Sequence, residues 1–488
     1  MTIPTMTWQR LKSLTAMNWQ GLTLPLALAA ALAAMAATPA QAQNYKFKVL
    51  HTFHGKDGGS PFGTLVRDAA GNLYGTAGGG TGKCGSLGCG VVFKLDGTGR
   101  QVWLYNFQGK NGQGPAAGLL RDAKGNLFGT TAAGGLNEKS CAGGCGVVFR
   151  LDRTGRKEAA LYKFTGPPDG YWPESTLVED TAGNLYGTTY EGGADVQGTV
   201  FMIDTAGKET ILHSFAGPPE GGGDGASPYH GVVRDAAGNL YGVTFAGGEW
   251  GAGAVYEVDS SGSEALLYSF SGGSDGAQPD SILLLDAQGN LYGTTQNGGN
   301  DQCGGTGCGV VFELSPQSGG GWAEKVLYDF CSQTGCADGE GPIAGPLVMD
   351  ASGNLYGTTY FGGAYRNCNG DGCGVVFKLD STGNETVLHS FTGGPDGAFP
   401  WAGVTSDRKG NLYGTTVYGG ARCDKTYTCG VVFEISPESR AGWAARPLRF
   451  RRRPRWPHPQ QESSLLLTGV AAPVRFRLNA GRSKGWPD

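Results

Sequence analysis

Residues 71–76 of this chain read Gly-Asn-Leu-Tyr-Gly-Thr, and the same string or a close variant returns six more times. Successive copies start between 51 and 64 residues apart, at Gly125, Gly183, Gly238, Gly289, Gly353 and Gly410. A second string, Gly-Val-Val-Phe or a relative of it, follows each copy and begins at Gly90, Gly146, Gly198, Gly253, Gly309, Gly374 and Gly430. A period of this length indicates one supersecondary unit per repeat, and therefore seven units.

A third string, Leu-Tyr-x-Phe or Leu-His-x-Phe, completes each module and begins at Leu50, Leu104, Leu161, Leu212, Leu267, Leu327 and Leu388. Each module holds four apolar runs that are too short for helices and rich enough in β-branched and aromatic residues for strands. In the fifth module these runs are residues 265–270, 281–285, 290–295 and 310–314. The 88 glycines also favour short strands and tight turns, because glycine is costly inside a helix.

The first two runs of each module are joined by Asp-x-x-Gly-Asn, which begins at Asp68, Asp122, Asp180, Asp235, Asp286, Asp350 and Asp407. An aspartate can close a turn on its own backbone, and glycine supplies the positive φ that a tight hairpin needs. We therefore interpret these aspartates as hairpin residues. Calcium ligation is the alternative interpretation, and calcium is the only cofactor that the pattern suggests.

Four antiparallel strands repeated seven times predict an all-β fold, a seven-bladed β-propeller of four-stranded antiparallel blades. An eighth blade would need residues 441–488, and a parallel β-solenoid would need shorter repeats. The chain opens with a lone strand at residues 45–53, of the type that ends every other module. We expect it to complete the last blade beside residues 430–435 and so to close the ring.

These strings resemble the GloVer tandem-repeat family of bacterial secreted proteins, which are described as having a choice of C-terminal anchor. The resemblance covers about residues 45–440 and rests on Gly-Asn-Leu-Tyr-Gly-Thr-Thr, the following Gly-Gly, and Gly-Val-Val-Phe. It implies an extracellular or surface location and brings no activity or catalytic residues. The Asp-x-x-Gly-Asn-Leu-Tyr element is also similar to part of the blades in calcium-dependent lactonase and phosphotriesterase propellers.

The two ends of the chain differ in composition from the repeats. Residues 1–42 are typical of a signal peptide, with Arg10 and Lys12 before an apolar run and Ala-Gln-Ala at residues 40–42. We therefore expect export to the extracellular space, the cell surface or the periplasm, with a propeller at residues 43–440 and no transmembrane segment in the mature chain. Residues 440–488 hold eleven Lys or Arg and two acids, a balance of +9 against −4 for the whole chain. We interpret residues 441–488 as a degenerate or out-of-frame tail, disordered and not a nucleic-acid site.

The four strands of a module are named A to D, and strand A is the run before Asp-x-x-Gly-Asn. In an antiparallel blade, the D-to-A and B-to-C loops share one face, named here the loop face. The A-to-B and C-to-D turns share the opposite face, named the turn face. The turns on the turn face have nearly the same sequence in every module, whereas the sequences of the loops on the loop face differ. Variable loops on a constant scaffold can form a binding site. Aromatic residues there could stack on a glycan, although packing between blades also explains most of them. The candidate ligand-binding residues are Trp172, Tyr190, Phe245, Trp250, Tyr360, Phe361, Phe399, Trp401 and Tyr418.

Twelve cysteines fall into six local pairs, all on the loop face. The expected pairs are Cys84/Cys89, Cys141/Cys145, Cys303/Cys308, Cys331/Cys336, Cys368/Cys373 and Cys423/Cys429. In an exported chain such pairs favour disulfides. Zinc would need ligand sets that span blades, and no histidine adjoins the pairs. We expect the disulfides to hold the loop face rigid.

No catalytic motif stands in a fitting context, so no catalytic residue and no metal ligand is predicted. His51, His213 and His389 occupy the repeated Leu-His-x-Phe position and are interpreted as structural. The leading prediction is a monomeric binding or scaffold protein that presents the loop face to an extracellular glycan or protein. The alternative is a metal (calcium)-dependent, lactonase- or phosphotriesterase-like hydrolase at the central channel. Glu179 and His230 are the side chains suggested for such a site. A purely structural surface protein is the third class.

Overall fold

The computed structural model describes residues 44–438, except 86–87, 137–140, 142, 218–222, 344, 369 and 422–428. These residues form seven four-stranded antiparallel sheets arranged in a ring, which confirms the predicted seven-bladed β-propeller. The described part of the chain contains no helix, and hence none long and apolar enough to cross a membrane. The predicted signal peptide and the predicted basic tail lie outside the described residues.

Each blade runs A, B, C, D from the channel outwards, in strand order along the sheet. The inner strands A are Val66–Arg67, Leu120–Arg121, Val178–Glu179, Val233–Arg234, Leu284–Leu285, Val348–Met349 and Thr405–Ser406. The strands B are Leu73–Ala77, Leu127–Thr131, Leu185–Thr189, Leu240–Thr244, Leu291–Asn297, Leu355–Thr359 and Leu412–Thr416. The strands C are Val91–Leu95, Val147–Leu151, Thr199–Ile203, Ala254–Val258, Val310–Pro316, Val375–Leu379 and Val431–Pro437. The outer strands D are Gln101–Asn106, Glu158–Lys163, Glu209–Ser214, Glu264–Ser269, Trp322–Asp329, Glu385–Ser390 and, for the last blade, Tyr45–Thr52.

Strand A is shorter than the sequence predicts. In the fifth blade only Leu284–Leu285 pairs with strand B, although residues 281–285 were expected to do so. The Ser281 hydroxyl accepts the N–H of Thr294 at 2.9 Å, so a side chain replaces the backbone partner that a longer strand would supply. In every blade strand A has only two residues, so the residues before it lie outside the sheet and can line the channel.

Five further short strands tie the loop face together on the third, fourth and fifth blades. Gly170–Tyr171 pairs with Glu191–Gly192, and Gly223–Ala226 pairs with Ala246–Gly248. Ala277–Pro279 pairs with the end of Leu291–Asn297. The D-to-A loops are therefore fixed to the segments that follow strand B, and this part of the loop face has a defined backbone.

The repeated Gly and Phe of the first two strings meet across strands B and C. Gly75 lies opposite Phe93, and a Cβ atom at residue 75 would lie 2.6 Å from Cζ of that ring. Only glycine leaves room for the ring at such a distance. The same pair recurs in every blade, as Gly129–Phe149, Gly187–Phe201, Gly242–Tyr256, Gly293–Phe312, Gly357–Phe377 and Gly414–Phe433.

The Phe of the third string packs on the next blade. Phe53 contacts Phe93 edge-to-face with ring centroids 5.0 Å apart, and both side chains are fully buried. Six equivalent pairs, with centroids 5.0 to 5.4 Å apart, follow around the ring: Phe107–Phe149, Phe164–Phe201, Phe215–Tyr256, Phe270–Phe312, Phe330–Phe377 and Phe391–Phe433. The three strings therefore encode one buried stack that repeats through all blade interfaces.

The N-terminal strand closes the ring, as predicted. Tyr45–Thr52 pairs antiparallel with Val431–Pro437, so the last blade takes its outer strand from the start of the chain. Ser60 N–H donates to the Cys429 carbonyl at 2.6 Å across the same junction. The junction between the last and first blades thus has the same contacts as the other six.

The Asp-x-x-Gly-Asn segments form the predicted hairpins. Oδ1 of Asp68 accepts the N–H groups of Ala70 and Asn72, and Oδ2 accepts the Asn72 amide and the Tyr74 hydroxyl. Asp180 makes the same four contacts in the third blade. The turn itself therefore accounts for the repeated aspartate.

Tyr256 stands where the other blades have Phe, and we expect Tyr256→Phe to stabilise the protein by about 1–3 kcal/mol. Its side chain is fully buried, and its hydroxyl has no hydrogen-bond partner among the described residues. Removing an unpaired buried hydroxyl removes its desolvation cost. Urea unfolding measures the change. Phe312→Tyr, at the equivalent position of the next blade, is the matched control and should destabilise. Loss of stability in Tyr256→Phe would contradict the prediction.

Candidate functional site

A cavity of about 440 Å³ opens at the mouth of the central channel on the loop face. Its floor is made of small residues that precede strands A, including Gly63, Thr64, Ala117 and Thr176. Six consecutive blades of the closed ring contribute to it through their D-to-A loops. The cavity is therefore a product of the closed ring and not of any single module.

One proline per module sets the position of the side chains around this mouth. The N–H of the residue before each proline donates to the preceding blade, as Gly114 does to the Cys89 carbonyl at 3.0 Å. A Cβ atom at Gly90 would lie 2.1 Å from Cδ of Pro115, so the ring packs directly on that glycine. The residues that follow the prolines line the cavity in six modules: Phe62, Ala116, Glu174, Tyr229, Asp280 and Trp401.

Three titratable side chains from three successive blades meet at the cavity. Nε2 of His230 lies 2.5 Å from Oδ1 of Asp280, and the two side chains are only 13% and 10% exposed. Glu174 is partly buried, and among the described residues nothing hydrogen-bonds to its carboxylate. Burial raises the pKa of Glu174, and the Asp280 charge raises it further, while His230 opposes the rise. This Glu174–His230–Asp280 group is named the acidic cluster below.

A first aromatic row leads from the rim to the acidic cluster. Trp172 and Tyr190 stack with centroids 6.0 Å apart, and Tyr190 stacks on Tyr229 at 4.2 Å. Tyr229 then contacts Phe245 at 5.8 Å and His230 at 5.6 Å. Burial raises the pKa of Tyr229, and its hydrogen bond with Tyr190 and the nearby carboxylates raise it further. The row therefore presents neutral aromatic faces beside the cluster.

A second aromatic group lies on the opposite side of the mouth. Tyr360 contacts Phe399 at 4.9 Å and Trp401 at 5.4 Å, and Trp401 contacts Phe62 at 6.0 Å. Phe361 and Tyr418 complete this group through Phe399. Eight of the nine predicted aromatic residues thus fall into two groups, and Phe245 and Trp401 are the two that line the cavity.

Trp250, the ninth predicted residue, belongs to neither group. It lies on the B-to-C loop of the fourth blade with 62% of its surface exposed, outside the ring contacts of the described residues.

Trp172 and Phe399 occupy a strained backbone position. All seven residues before the repeated proline have positive φ, and the others are Ser60, Gly114, Ser227, Gln278 and Gly341. Trp172 has φ 55° and Phe399 has φ 58°, a region that bulky residues rarely adopt. Such strain costs about 1–3 kcal/mol and gathers at functional sites. Two bulky aromatic residues therefore adopt a backbone conformation that glycine would adopt at lower cost.

Glu179 and His230, the residues suggested for the alternative hydrolase, lie apart in the structure, and His230 precedes strand A, Val233–Arg234, instead of lying on it. Glu179 is exposed and lies near Asp122, Asp180 and Lys124, which belong to A-to-B turns on the turn face. His230 lies at the loop face, so the two residues occupy opposite ends of strand A. The acids that do meet His230 are Glu174 and Asp280, which precede strand A. An alignment of the modules on the repeated proline identifies Glu174 and Asp280 from the sequence, because each directly follows that proline.

The three repeated histidines have the structural role that the sequence predicts. His213 contacts Asp224 at 2.8 Å and His389 contacts Asp396 at 3.2 Å, between strand D and the next loop. Tyr162 makes the same contact with Asp169 at 3.0 Å. The His213 pair has one further property: its ligand atoms and those of Glu264 all lie within 4.8 Å of one another, so this outer trio could hold a metal ion.

The structure confirms five of the predicted disulfides: Cys84–Cys89, Cys141–Cys145, Cys303–Cys308, Cys331–Cys336 and Cys368–Cys373. Cys429 is also disulfide-bonded, while Cys423 lies outside the described residues. The B-to-C loops of the third and fourth blades carry no cysteine. Those two blades instead carry Tyr190, Phe245 and Trp250.

Several solved structures resemble this chain at low identity. The extracellular domain of a protein described as a hybrid two-component system from B. thetaiotaomicron matches 80% of this chain and 41% of its own length, with 13% identity and a TM-score of 0.47. A fungal alcohol oxidase of the AA5 family, in complex with copper, matches 80% of this chain and 76% of its own length, with 13% identity and a TM-score of 0.49. A gluconolactonase from Xanthomonas campestris matches 59% of this chain and 78% of its own length, with 14% identity and a TM-score of 0.36.

This chain spans about two fifths of the length of the first of these structures. None of the three assigns a site or an activity to it. No curated protein matches its sequence.

The family comparison covers most of the repeats. The model of the Gloeobacter/Verrucomicrobia repeat matches residues 37–223 and 219–428, which include the hairpin string in all seven modules. This confirms the resemblance drawn from the repeated strings, and the chain belongs to the Gloeobacter/Verrucomicrobia repeat family.

Proposed function

We propose that this protein is an exported binding protein that receives a glycan at the mouth of its central channel. The observation that carries the proposal is the cavity of about 440 Å³, which lies between two aromatic groups and contains the acidic cluster. The signal-peptide pattern and the disulfides support export, because disulfides persist in oxidising compartments. The loops that form the cavity are also the segments in which the modules differ most.

The lining suits a ligand with both apolar and polar faces. Phe62, Phe245 and Trp401 offer flat apolar surfaces, and Thr64, Thr176 and Gln296 offer hydroxyl and amide groups beside them. Pockets with mostly apolar walls and a few convergent polar groups are the usual form of a small-molecule site. Sugar rings have an apolar face and a rim of hydroxyls, which matches this arrangement.

The strained backbone at Trp172 and Phe399 supports the same proposal. Gly114 and Gly341 adopt this backbone conformation without strain, whereas Trp172 and Phe399 place a bulky side chain there. Aromatic side chains held at a cost in backbone energy are more readily explained by a ligand than by packing. Trp172 is also 41% exposed, which is high for a residue that serves packing alone.

We expect Trp401→Ala to weaken glycan binding at least tenfold, which is about 1.4 kcal/mol. Trp401 lines the cavity, and large aromatic residues in such positions dominate binding energy. Screening the purified protein on a glycan array identifies a ligand, and calorimetry then compares the variants. Trp250→Ala is the matched control, because Trp250 is a tryptophan on the loop face outside the cavity lining. Equal loss in both variants, or no glycan bound at all, would overturn the proposal.

A second candidate is hydrolysis at the channel, and the acidic cluster is the one observation that favours it. His230 and Asp280 are hydrogen-bonded, and Glu174 is close enough to interact electrostatically with both. Such groups can act as general acids and bases. The ligand atoms of these three side chains do not all lie within 4.8 Å of one another. Release of acid from lactones, or of alcohol from phosphotriesters, with and without added calcium, tests this candidate.

A further inference from the structure

We infer that the channel-mouth cavity selects ligands that carry a protonated amine, and among glycans therefore those with free amino sugars. The inference rests on the proposed glycan binding and specifies the chemical class that the same cavity takes. Its basis is the charge of the lining, the unsatisfied carboxylate of Glu174 and the aromatic faces around it.

The charge of the described lining is negative. Glu174 and Asp280 are acidic, His230 is the one basic side chain, and neither Lys nor Arg lines the cavity. His230 is already hydrogen-bonded to Asp280, so even its protonated form balances one of the two carboxylates. One carboxylate is left for which the described protein supplies no counter-charge. A cationic ligand group supplies it, whereas an anionic ligand would meet repulsion.

Glu174 is the carboxylate that lacks a partner. Asp280 contacts His230, whereas among the described residues no donor reaches the oxygens of Glu174. A partly buried carboxylate without donors is costly, and a charge-assisted hydrogen bond from an ammonium group would remove most of that cost. Burial raises the pKa of Glu174 in the free protein, and the charge of His230 only partly opposes the rise.

The aromatic faces favour the same group. Tyr229 lies between the first aromatic row and the acidic cluster, close enough for Glu174 and Asp280 to act on its hydroxyl. Phe245 contacts Tyr229 and lines the cavity. An ammonium group near such rings gains a cation–π interaction, and the apolar remainder of the ligand packs on the same surface. A neutral sugar can pack on the aromatic rings, but it gains no electrostatic attraction to the carboxylates of the acidic cluster.

Calorimetry with two matched probes tests the inference: a glucosamine trimer with free amines and the same trimer fully N-acetylated. At neutral pH and low salt we expect the free-amine trimer to bind at least tenfold more tightly. Glu174→Gln keeps the shape of the side chain and removes its charge, so it should abolish this preference while retaining the affinity for the acetylated trimer. Glu179→Gln is the control, because it removes an acid on the turn face. Melting curves check that each variant is folded.

The outcomes separate the two proposals. If both trimers bind equally to the unmodified protein, the amine inference is overturned and glycan binding stands. If Glu179→Gln lowers the preference as much as Glu174→Gln does, general surface charge is responsible and the inference is overturned. If neither trimer binds and a glycan array also gives no ligand, both proposals fall.

Discussion

Deletion of Tyr45–Thr52 is expected to abolish cooperative folding of the ring. This segment is the outer strand of the last blade and pairs along the whole of Val431–Pro437. Phe47 stacks on His389 with ring centroids 3.8 Å apart and also contacts Phe433. Truncating one fully buried Phe costs about 3–5 kcal/mol, and the deletion removes the partly buried Phe47 together with a full set of strand hydrogen bonds. That loss approaches the entire stability of a typical folded protein.

Thermal unfolding, followed by near-ultraviolet circular dichroism, measures the effect. The control is truncation after residue 442, which removes the predicted tail and should leave the melting temperature unchanged. This comparison also tests the expected boundary of the propeller, because the tail lies outside the described residues. If the tail truncation destabilises the protein as much as loss of Tyr45–Thr52, ring closure by the N-terminal strand is not the main constraint.

The fold could be predicted because every module must satisfy the same contacts. Gly75 must be glycine because Phe93 covers it, and Phe93 in turn supports Phe53 of the neighbouring blade. Seven repetitions of such a requirement produce identical strings, and their spacing reveals the blade. The turn aspartates are identical for the same reason, since each one holds its own hairpin.

The site could be predicted only in part, because it consists of departures from the repeat. Glu174, Tyr229 and Asp280 are far apart in sequence and share only their place after the repeated proline. Glu179, which was suggested for the alternative hydrolase, lies near the A-to-B turns on the turn face. Strand A has only two residues in every blade, and the apolar run from which a longer strand was expected does not show where the pairing begins.

Pairs of acidic residues recur at the outer edge of the ring, and they make the stability of the protein depend on pH. Four strands D carry a glutamate at or near their start, beside the aspartate of the preceding D-to-A loop. The pairs are Glu209 with Asp169, Glu264 with Asp224, Glu324 with Asp275, and Glu385 with Asp338. Oε1 of each glutamate has no hydrogen-bond partner among the described residues. Two acids share each blade interface while one of them is poorly solvated.

Burial raises the pKa of these glutamates, and the neighbouring aspartate adds to the rise. The values are about 7 for Glu209, Glu264 and Glu324 and about 8 for Glu385. In the unfolded chain the pKa returns to about 4.5. Between these values the folded state binds more protons than the unfolded state, so its stability falls as the pH rises. The stabilisation is complete below about pH 4.5 and is lost through pH 7–8.

The turn aspartates set the acidic limit. Burial tends to raise the pKa of Asp68, but the hydrogen bonds from Asn72 and Tyr74 outweigh it and hold the pKa below its ordinary value. Asp180, Asp286, Asp350 and Asp407 behave in the same way. Their contribution is present at higher pH and is lost when they are protonated in strong acid. The two groups together place the most stable range in mildly acidic solution.

We therefore expect the melting temperature to fall by several degrees between pH 5 and pH 8, an effect moderated because these glutamates are partly exposed. A variant with glutamine at all four positions should lose most of this slope and melt higher than the unmodified protein at pH 8. Glu385→Gln alone should remove part of the slope, because a single interface is relieved. Since glutamine keeps the size of the side chain and cannot titrate, an unchanged slope in the fourfold variant would show that these carboxylates are not the groups that titrate. A melting temperature that rises between pH 5 and pH 8 would contradict the prediction, because the turn aspartates titrate only in stronger acid.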